Sequence, residues 1–530
     1  MAESATGPRS PGPTAPPTLA DVVATSQAVA STRSRLAKTA ALAELLTRAR
    51  DAGDGTVRLV AHYLAGVLPQ GRIGVGPAAL ARLPSPATAP SLTLDDVDGF
   101  MDRLASVAGA GSKAARAALV DDLFSRATSD EQRYLAGILR GDLRQGALDA
   151  GMRAAIAQAS GARPAAVDRA AMLSGDTALV AIAALTGGDA ALDEIRLEVG
   201  RAVSPMLAAS APDLDEALTR VGDGAVVDCK LDGVRIQIHR DGDRVRLFTR
   251  SLDDITHRLP EVVDAARGLV PTRYVMDAEA LAFAADGRPL TFAQTMSRVG
   301  RRSRGPATSG TPLSLQVFDV LHLDDEDLID RPLAERLERL DAAVPPELRP
   351  PRATGDADAL RAFEAACLER GHEGVMVKDP ASPYAAGRRG SAWIKVKPRR
   401  TLDLVVLGAD WGSGRRRGTL SNIHLGAREP DGGFVLLGKT FKGMTDEMLA
   451  WQTARFLELE DHRDGMSVYV RPEQVVEIAL DSVLRSRRYP GGVALRFARV
   501  LRYRDDKAPG EVDTIDDVRA MMVGGADDEA

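Results

Sequence analysis

The residues best equipped for chemistry are Lys230-Leu231-Asp232-Gly233-Val234-Arg235, directly after the strand-like run Val226-Val227-Asp228-Cys229. Their spacing brings an amine, a carboxylate and a guanidinium to one small pocket, and Gly233 lets a phosphate or sugar come close to the backbone. That equipment suits a nucleotide. Asp-Gly is also a common turn signal, so the same six residues read as the approach to a hairpin. Along an extended Val226 to Asp232, side chains two apart share a face, which would point Asp228, Lys230 and Asp232 together.

Other charged residues sit on later apolar runs. Asp277 and Glu279 share a face of Tyr274 to Ala280, and Glu373 opens the run ending at Lys378. Carboxylates from separate strands, completed by phosphate oxygens and water, make a magnesium site, while each acid alone reads as an edge or turn residue. Lys395 and Lys397 share a face with Trp393, as a polar sheet face or a phosphate grip. Phe318 is either core packing or a platform for a purine.

The elements that must position these groups divide the chain. Its 530 residues, 45% hydrophobic, exceed one ordinary core and imply about three domains. Residues 1–18, rich in Pro, Ala, Ser and Gly, read as a disordered tail. From 19 to 203 the pattern is helical, as in Lys38 to Ala49, Ala114 to Ala127 and Glu131 to Arg140. From 204 to 398 short strands take over: Val234 to His239 and Val245 to Thr249 form a hairpin, Tyr274 to Phe283 and Leu315 to His322 follow, and a helix over Asp356 to Gly371 precedes a strand at Gly374 to Lys378. From 399 to 530, strands at Leu402 to Leu407, Phe434 to Thr440, Val475 to Ala479 and Leu495 to Arg502 suit a small β-barrel.

Two cysteines, Cys229 and Cys367, allow neither a disulfide framework nor a four-cysteine zinc site, and Cys229 reads as a small strand filler. No apolar run approaches the ~18 residues of a membrane span, and no basic-then-apolar leader opens the chain, so the expected address is cytoplasmic and nucleoid-associated. The net charge of -6 does not suggest a polyanion partner. Local clusters do: Arg388 to Arg417, Arg485 to Lys507, and Arg298, Arg301, Arg302 and Arg304. A basic run alone is usually a solvated face; three beside candidate motifs favour nucleic acid.

Taken in order, the motifs resemble those of the ATP-dependent DNA ligases. Lys230 to Arg235 is similar to the family's lysine motif; Phe248-Thr249-Arg250-Ser251, Met276-Asp277-Ala278-Glu279, Val317-Phe318-Asp319-Val320, Glu373 to Lys378, Trp393 to Pro398 and Arg496 to Lys507 match the rest. Tyr63 to Pro69 and Tyr134 to Arg144 resemble the helical DNA-binding domain of archaeal and eukaryotic-type members. The resemblance therefore implies an all-α DNA-binding domain, an α+β nucleotidyltransferase (adenylation) domain and a C-terminal β-barrel OB-fold domain. Asp228 stands where the family usually has Glu, and Arg388 where Lys is frequent.

The resemblance also implies roles. Lys230 would take AMP from ATP as a phosphoramidate, pass it to the 5′-phosphate of a nick, and the 3′-hydroxyl would displace it. Asp228 would accept from the adenine amino group, Phe318 would stack on the ring, and Arg235, Arg250 and Arg389 would contact ribose or phosphates. Glu279 and Glu373 would hold Mg²⁺, or Mn²⁺. Lys378, Lys395 and Lys397 would grip the α-phosphate, and Arg504, Asp506 and Lys507 would orient pyrophosphate. The implied partner is nicked duplex DNA, bound by a monomer without a membrane. RNA ligases and capping guanylyltransferases share the lysine motif, but the helical segment argues against both. Two cysteines cannot build the zinc finger of the NAD-dependent ligases, and the intact Lys230, Glu279, Glu373 and Lys395 argue against a non-catalytic scaffold.

Overall fold

The computed structural model describes residues 15–522, apart from 72, 110, 144–147, 291–294, 296–311, 386–388 and 399. The Arg298, Arg301, Arg302 and Arg304 cluster, Arg388 and most of the expected tail lie outside the described residues.

Among the described residues from Leu19 to Asp193 the chain forms nine α-helices and one short 3-10 turn. Their starts follow from capping chemistry. Thr18, Thr93 and Thr128 each accept the N–H three residues on, while Asp21, Asp96 and Glu131 reach back to the cap N–H. The helices bury one apolar core that includes Leu46, Val60, Leu64, Phe124 and Ile156. Within it, the Tyr134 hydroxyl donates to the Tyr63 carbonyl at 2.6 Å.

The segment after the last of these helices is pinned to the next region by hydrogen bonds from its backbone N–H groups to buried side chains. Gly200 N–H donates to Nδ1 of His239 at 3.0 Å and Val203 N–H to Oε1 of Gln237 at 2.7 Å. Because Nδ1 accepts, the His239 proton sits on Nε2 and points to Gln237 Oε1 at 2.8 Å. Burial pushes the imidazole down to about 3, so it stays neutral at physiological pH.

Among the described residues the central region holds two five-stranded sheets. In one, Leu207–Ala211 pairs in parallel with Arg389–Val396, followed by antiparallel Val375–Lys378, Val226–Cys229 and Arg352–Ala353. The other is wholly antiparallel, with Val234–Asp241 between Arg244–Thr249 and Arg273–Ala282, then Leu313–Leu323 and Glu326–Asp327. The turn carrying Lys230 joins the two sheets.

The first strand stops at Cys229 instead of running to Asp232, because the chain leaves its sheet to reach the second one. Cys229 is also more than a filler: it is disulfide-bonded to Cys367 on the helix Ala357–Glu369, with the Cα atoms 5.7 Å apart. The sequence separation of 138 hid the pairing, which arises because the helix packs Cys367 and Leu360 over the strand bearing Val227 and Cys229.

Beyond the second sheet lies a strand-rich region. Its long strand Arg400–Trp411 pairs with Val475–Leu480 through its first half and with Ser467–Val470 through its second, with Leu420–Arg428 on the other edge. Gly408 marks the change, since a Cβ there would stand 2.8 Å from the Val468 carbonyl. Among the described residues the hydrogen-bonded order starts at Phe434–Thr440 and ends at Glu460–Asp464 without running full circle. The expected strand Leu495 to Arg502 is two strands, Val493–Arg496 and Arg499–Tyr503, split by Phe497 at φ +56°. No helix among the described residues is long and apolar enough to cross a membrane.

Candidate active site

A cavity of about 1100 Å³ opens between the two central sheets. Asp228, Lys230, Arg235, Arg250, Glu279, Phe318, Lys378, Trp393, Lys395 and Lys397 all line it. Residues spread over 170 positions of sequence therefore meet because each sheet contributes one wall.

The turn that presents Lys230 is held at both ends. Lys230 N–H donates to the Gly374 carbonyl at 2.8 Å, and Glu373 N–H returns to the Lys230 carbonyl at 3.2 Å. Gly233 N–H donates to Oε1 of Glu279 at 3.1 Å. Both glycines are required by space. A Cβ on Gly233 would meet the Ala280 carbonyl at 2.5 Å, and one on Gly374, at φ +143°, would meet the Val396 carbonyl at 2.2 Å.

Two carboxylates flank the amine. Nζ of Lys230 lies 2.6 Å from Oε2 of Glu373, whose other oxygen is ion-paired with Lys397. Burial alone would raise the Glu373 carboxyl, but the Lys230 and Lys397 charges outweigh it and hold it below the usual range. Glu279 goes the other way. Burial lifts it to about 7 against the pull of Lys230 and Arg235. Two acids thus sit beside one amine, one ionised and one poised to exchange a proton near neutral pH.

The deeper end is aromatic. Phe318 and Trp393 meet edge to face with centroids 6.0 Å apart, and Tyr384 packs on Trp393 in the same way. Lys378 is buried beneath them, its ammonium 4.8 Å from the Trp393 ring centre and ion-paired with Asp228. Asp228 keeps Oδ1 buried without a hydrogen-bond partner. Lys378, expected at the α-phosphate, is therefore engaged with the carboxylate expected at the base. Arg235 is also largely committed: it donates to the Met206 carbonyl at 2.7 Å and to Asp277 at 2.8 Å, with Tyr384 at 3.2 Å. Asp277, which follows the same alternation as Glu279, serves to anchor that guanidinium.

The family of this pocket follows from comparison with known proteins. The ATP dependent DNA ligase domain family matches residues 205–397, the ATP dependent DNA ligase C terminal region 416–507 and the DNA ligase N terminus 79–157. A probable DNA ligase of Nocardioides sp. is 57% identical over 95% of this chain and 99% of its own. The chain belongs to the ATP-dependent DNA ligase family. A probable DNA ligase of Beutenbergia cavernae is 58% identical, again over 95% of this chain and 99% of its own. A solved structure described as Pmar-Lig_Pre shares the fold, with a TM-score of 0.56 and 18% identity over 91% of this chain and 99% of that one. The enzyme accordingly has a helical N-terminal region, a central adenylation domain and a strand-rich C-terminal domain.

Not every candidate gathers at the cavity. The side chain of Arg389 lies outside the described residues, and Asp232 does not line the pocket. Arg504, Asp506 and Lys507 lie in the strand-rich domain, where Arg504 pairs with Asp506 and both cations pair with Asp403, and none of them lines the cavity. No motif or period points to Tyr384, which sits in a loop and whose hydroxyl donates to Asp277 while accepting Met206 N–H at 3.0 Å. The same holds for Arg336, whose guanidinium forms a fully buried bidentate pair with Asp319 at 2.8 and 2.9 Å, just behind Phe318.

Proposed function

We propose that this ATP-dependent DNA ligase seals nicks in duplex DNA, joining a 3′-hydroxyl to a 5′-phosphate through lysyl-AMP and DNA-adenylate intermediates. The observation that carries the reading is Lys230, held by backbone hydrogen bonds at the mouth of a nucleotide-sized cavity with Glu373 on its amine at 2.6 Å. Attack needs the neutral amine. While it holds no metal, Glu279, lifted by burial to about 7, is a suitable acceptor for the Lys230 proton. Asp228, with its unpartnered Oδ1, accepts from the adenine amino group, and Phe318 covers the ring. Arg250, Arg389, Lys395 and Lys397 set the sugar and phosphates, with Arg235 and Lys378 reaching them from their pairs with Asp277 and Asp228, and Arg504, Asp506 and Lys507 act on pyrophosphate when the C-terminal domain closes.

The donor set also fits Mg²⁺, with Mn²⁺ as a substitute. Among the described residues no cluster of three metal-ligating side chains exists. Two carboxylates, Glu279 and Glu373, leave the remaining positions to water and phosphate oxygens, which is the coordination Mg²⁺ accepts. When bound, the ion would neutralise charge on the transferring phosphate. In its absence the ammonium groups of Lys230 and Lys397 balance Glu373.

DNA would lie across all three parts, taken as residues 19–203, 204–398 and 399–530. In the last, Phe441 and Phe497 are more than half exposed, with Lys442 4.8 Å and Arg496 5.2 Å from the Phe497 ring centre. Exposed rings under cations suit the nucleic-acid backbone and its bases. The enzyme would act as a monomer in the cytoplasm at the nucleoid, in replication, repair or recombination. The test is labelling with α-labelled ATP or GTP followed by sealing of a 5′-phosphorylated nick. Wild type is labelled by ATP and seals; Lys230→Ala does neither. A labelled alanine variant refutes the nucleophile.

A further inference from the structure

Asp403 stands on the strand Arg400–Trp411, six residues beyond Lys397, the last residue to line the cavity. Its backbone is fixed on both sides: Asp403 N–H donates to Oδ2 of Asp513 at 2.7 Å, and Asp513 N–H donates to the Asp403 carbonyl at 2.9 Å. Its side chain, 15% exposed, collects two cations. Lys507 Nζ donates to Oδ2 at 2.7 Å, and Nη1 of Arg504 donates to both oxygens at 3.3 and 3.1 Å. Arg504 turns its other edge, Nε and Nη2, to the exposed Asp506 at 2.8 Å each.

This geometry separates an inner from an outer partner. Asp506 is 61% exposed and comes from the same loop as the cations, so it moves with them. Asp403 is the fixed one, placed at the junction with the adenylation domain. Without it, Lys507 loses its ion pair, while Arg504 keeps Asp506 and, at 3.9 Å, Glu477, so the two cations of this loop lose the one carboxylate they share. An ammonium on a four-carbon stem then samples many rotamers in place of one.

We propose that Asp403 is a positioning residue that holds Arg504 and Lys507 side by side, ready to meet the β- and γ-phosphates of ATP, so that it serves lysyl-AMP formation and not phosphodiester synthesis. The inference rests on the reading of Arg504 and Lys507 as pyrophosphate-side groups. Asp403 touches no reacting atom itself. It fixes the spacing of two charges whose misplacement by about 1 Å costs on the order of 10²-fold in a positioned reaction.

The test separates the steps in the full-length enzyme. Asp403→Asn is assayed for lysyl-AMP formation over a range of ATP concentrations, and for sealing of a nick that already carries AMP on its 5′-phosphate. The expected result is kcat/KM for adenylation lowered roughly 10- to 100-fold, mainly through KM for ATP, with sealing of the adenylated nick within about twofold of wild type. Asp403→Glu should recover part of the loss. Adding Asp403→Asn to Lys507→Met should cost much less than it does alone, because the carboxylate acts through that cation. A parallel fall in both steps, a fall in sealing alone, no change in either, or full additivity with Lys507→Met would each overturn the proposal. Wild type labelled by ATP while these variants fail to split the steps refutes Asp403 alone; wild type left unlabelled refutes the underlying function.

Discussion

Glu279→Gln should make the metal-free enzyme more stable, and only at the pH where the carboxyl would be charged. Burial moves Glu279 from its ordinary 4.5 to about 7. Below 4.5 the group is protonated in both folded and unfolded chains and contributes nothing. Between 4.5 and about 7 the unfolded chain ionises while the folded one resists, so stability declines as pH rises, and above about 7 the full cost is present. That interval corresponds to about 3 kcal/mol. Glutamine keeps the oxygen that accepts Gly233 N–H and carries no charge to desolvate. For a domain of 150–250 residues, about 3 kcal/mol appears as a gap of roughly 6–12 °C in the melting temperature of the adenylation domain. Thermal unfolding of wild type and variant, in chelator at pH 4.5, 6 and 8, should show the gap opening across that series. A gap independent of pH, or one that narrows toward pH 8, refutes the burial argument. The same variant should lose lysyl-AMP formation, a trade of activity for stability.

Four further outcomes follow from the same geometry. If Glu279 holds Mg²⁺ as proposed, the Mg²⁺ concentration needed for half-maximal adenylation should rise as pH falls below about 7, because protons and metal would compete for it. Gly233→Ala should cost about 1–3 kcal/mol by denaturant unfolding and abolish labelling, since its Cβ would strike the Ala280 carbonyl. Thiol titration of denatured, unreduced enzyme should find no free cysteine, and Cys367→Ser should lower stability by up to about 5 kcal/mol, given a closed loop of 138 residues. Replacing Lys442 and Arg496 together by Ala should flatten the salt dependence of nicked-DNA binding by about 1.8 in log–log slope, read by fluorescence anisotropy.

Much of the site was legible because it is built on strands. Alternation along Arg273–Ala282 and Arg389–Val396 sorts Glu279, Trp393 and Lys395 onto one face without knowledge of the partner strand. The helices were legible for a similar reason, since a 3.6-residue period and a Thr cap are local. What could not be read is whatever depends on two distant segments meeting. Cys229 needs the helix 138 residues later, Lys378 chooses Asp228 only because their strands pair, and Tyr384 reaches Asp277 from a loop with no period at all. The early end of the first strand is of this kind: Val226 to Asp232 alternates well enough, but Gly233 is drawn to Glu279 on the other sheet.

The Cys229–Cys367 bond closes the polypeptide into a ring. Lys230 and Glu279 lie inside the ring and Glu373 six residues outside it, so the proposed nucleophile and one of the acids beside it belong to a single covalent loop whose knot is adjacent to the lysine. The helical region leaves that ring at one side of the knot and the strand-rich region at the other. Either flank can therefore turn toward DNA or away from it while the ring's closure, and with it the placement of Lys230 against the helix leading to Glu373, stays the same. A backbone cut anywhere between the two cysteines would still leave one molecule until the bond is reduced.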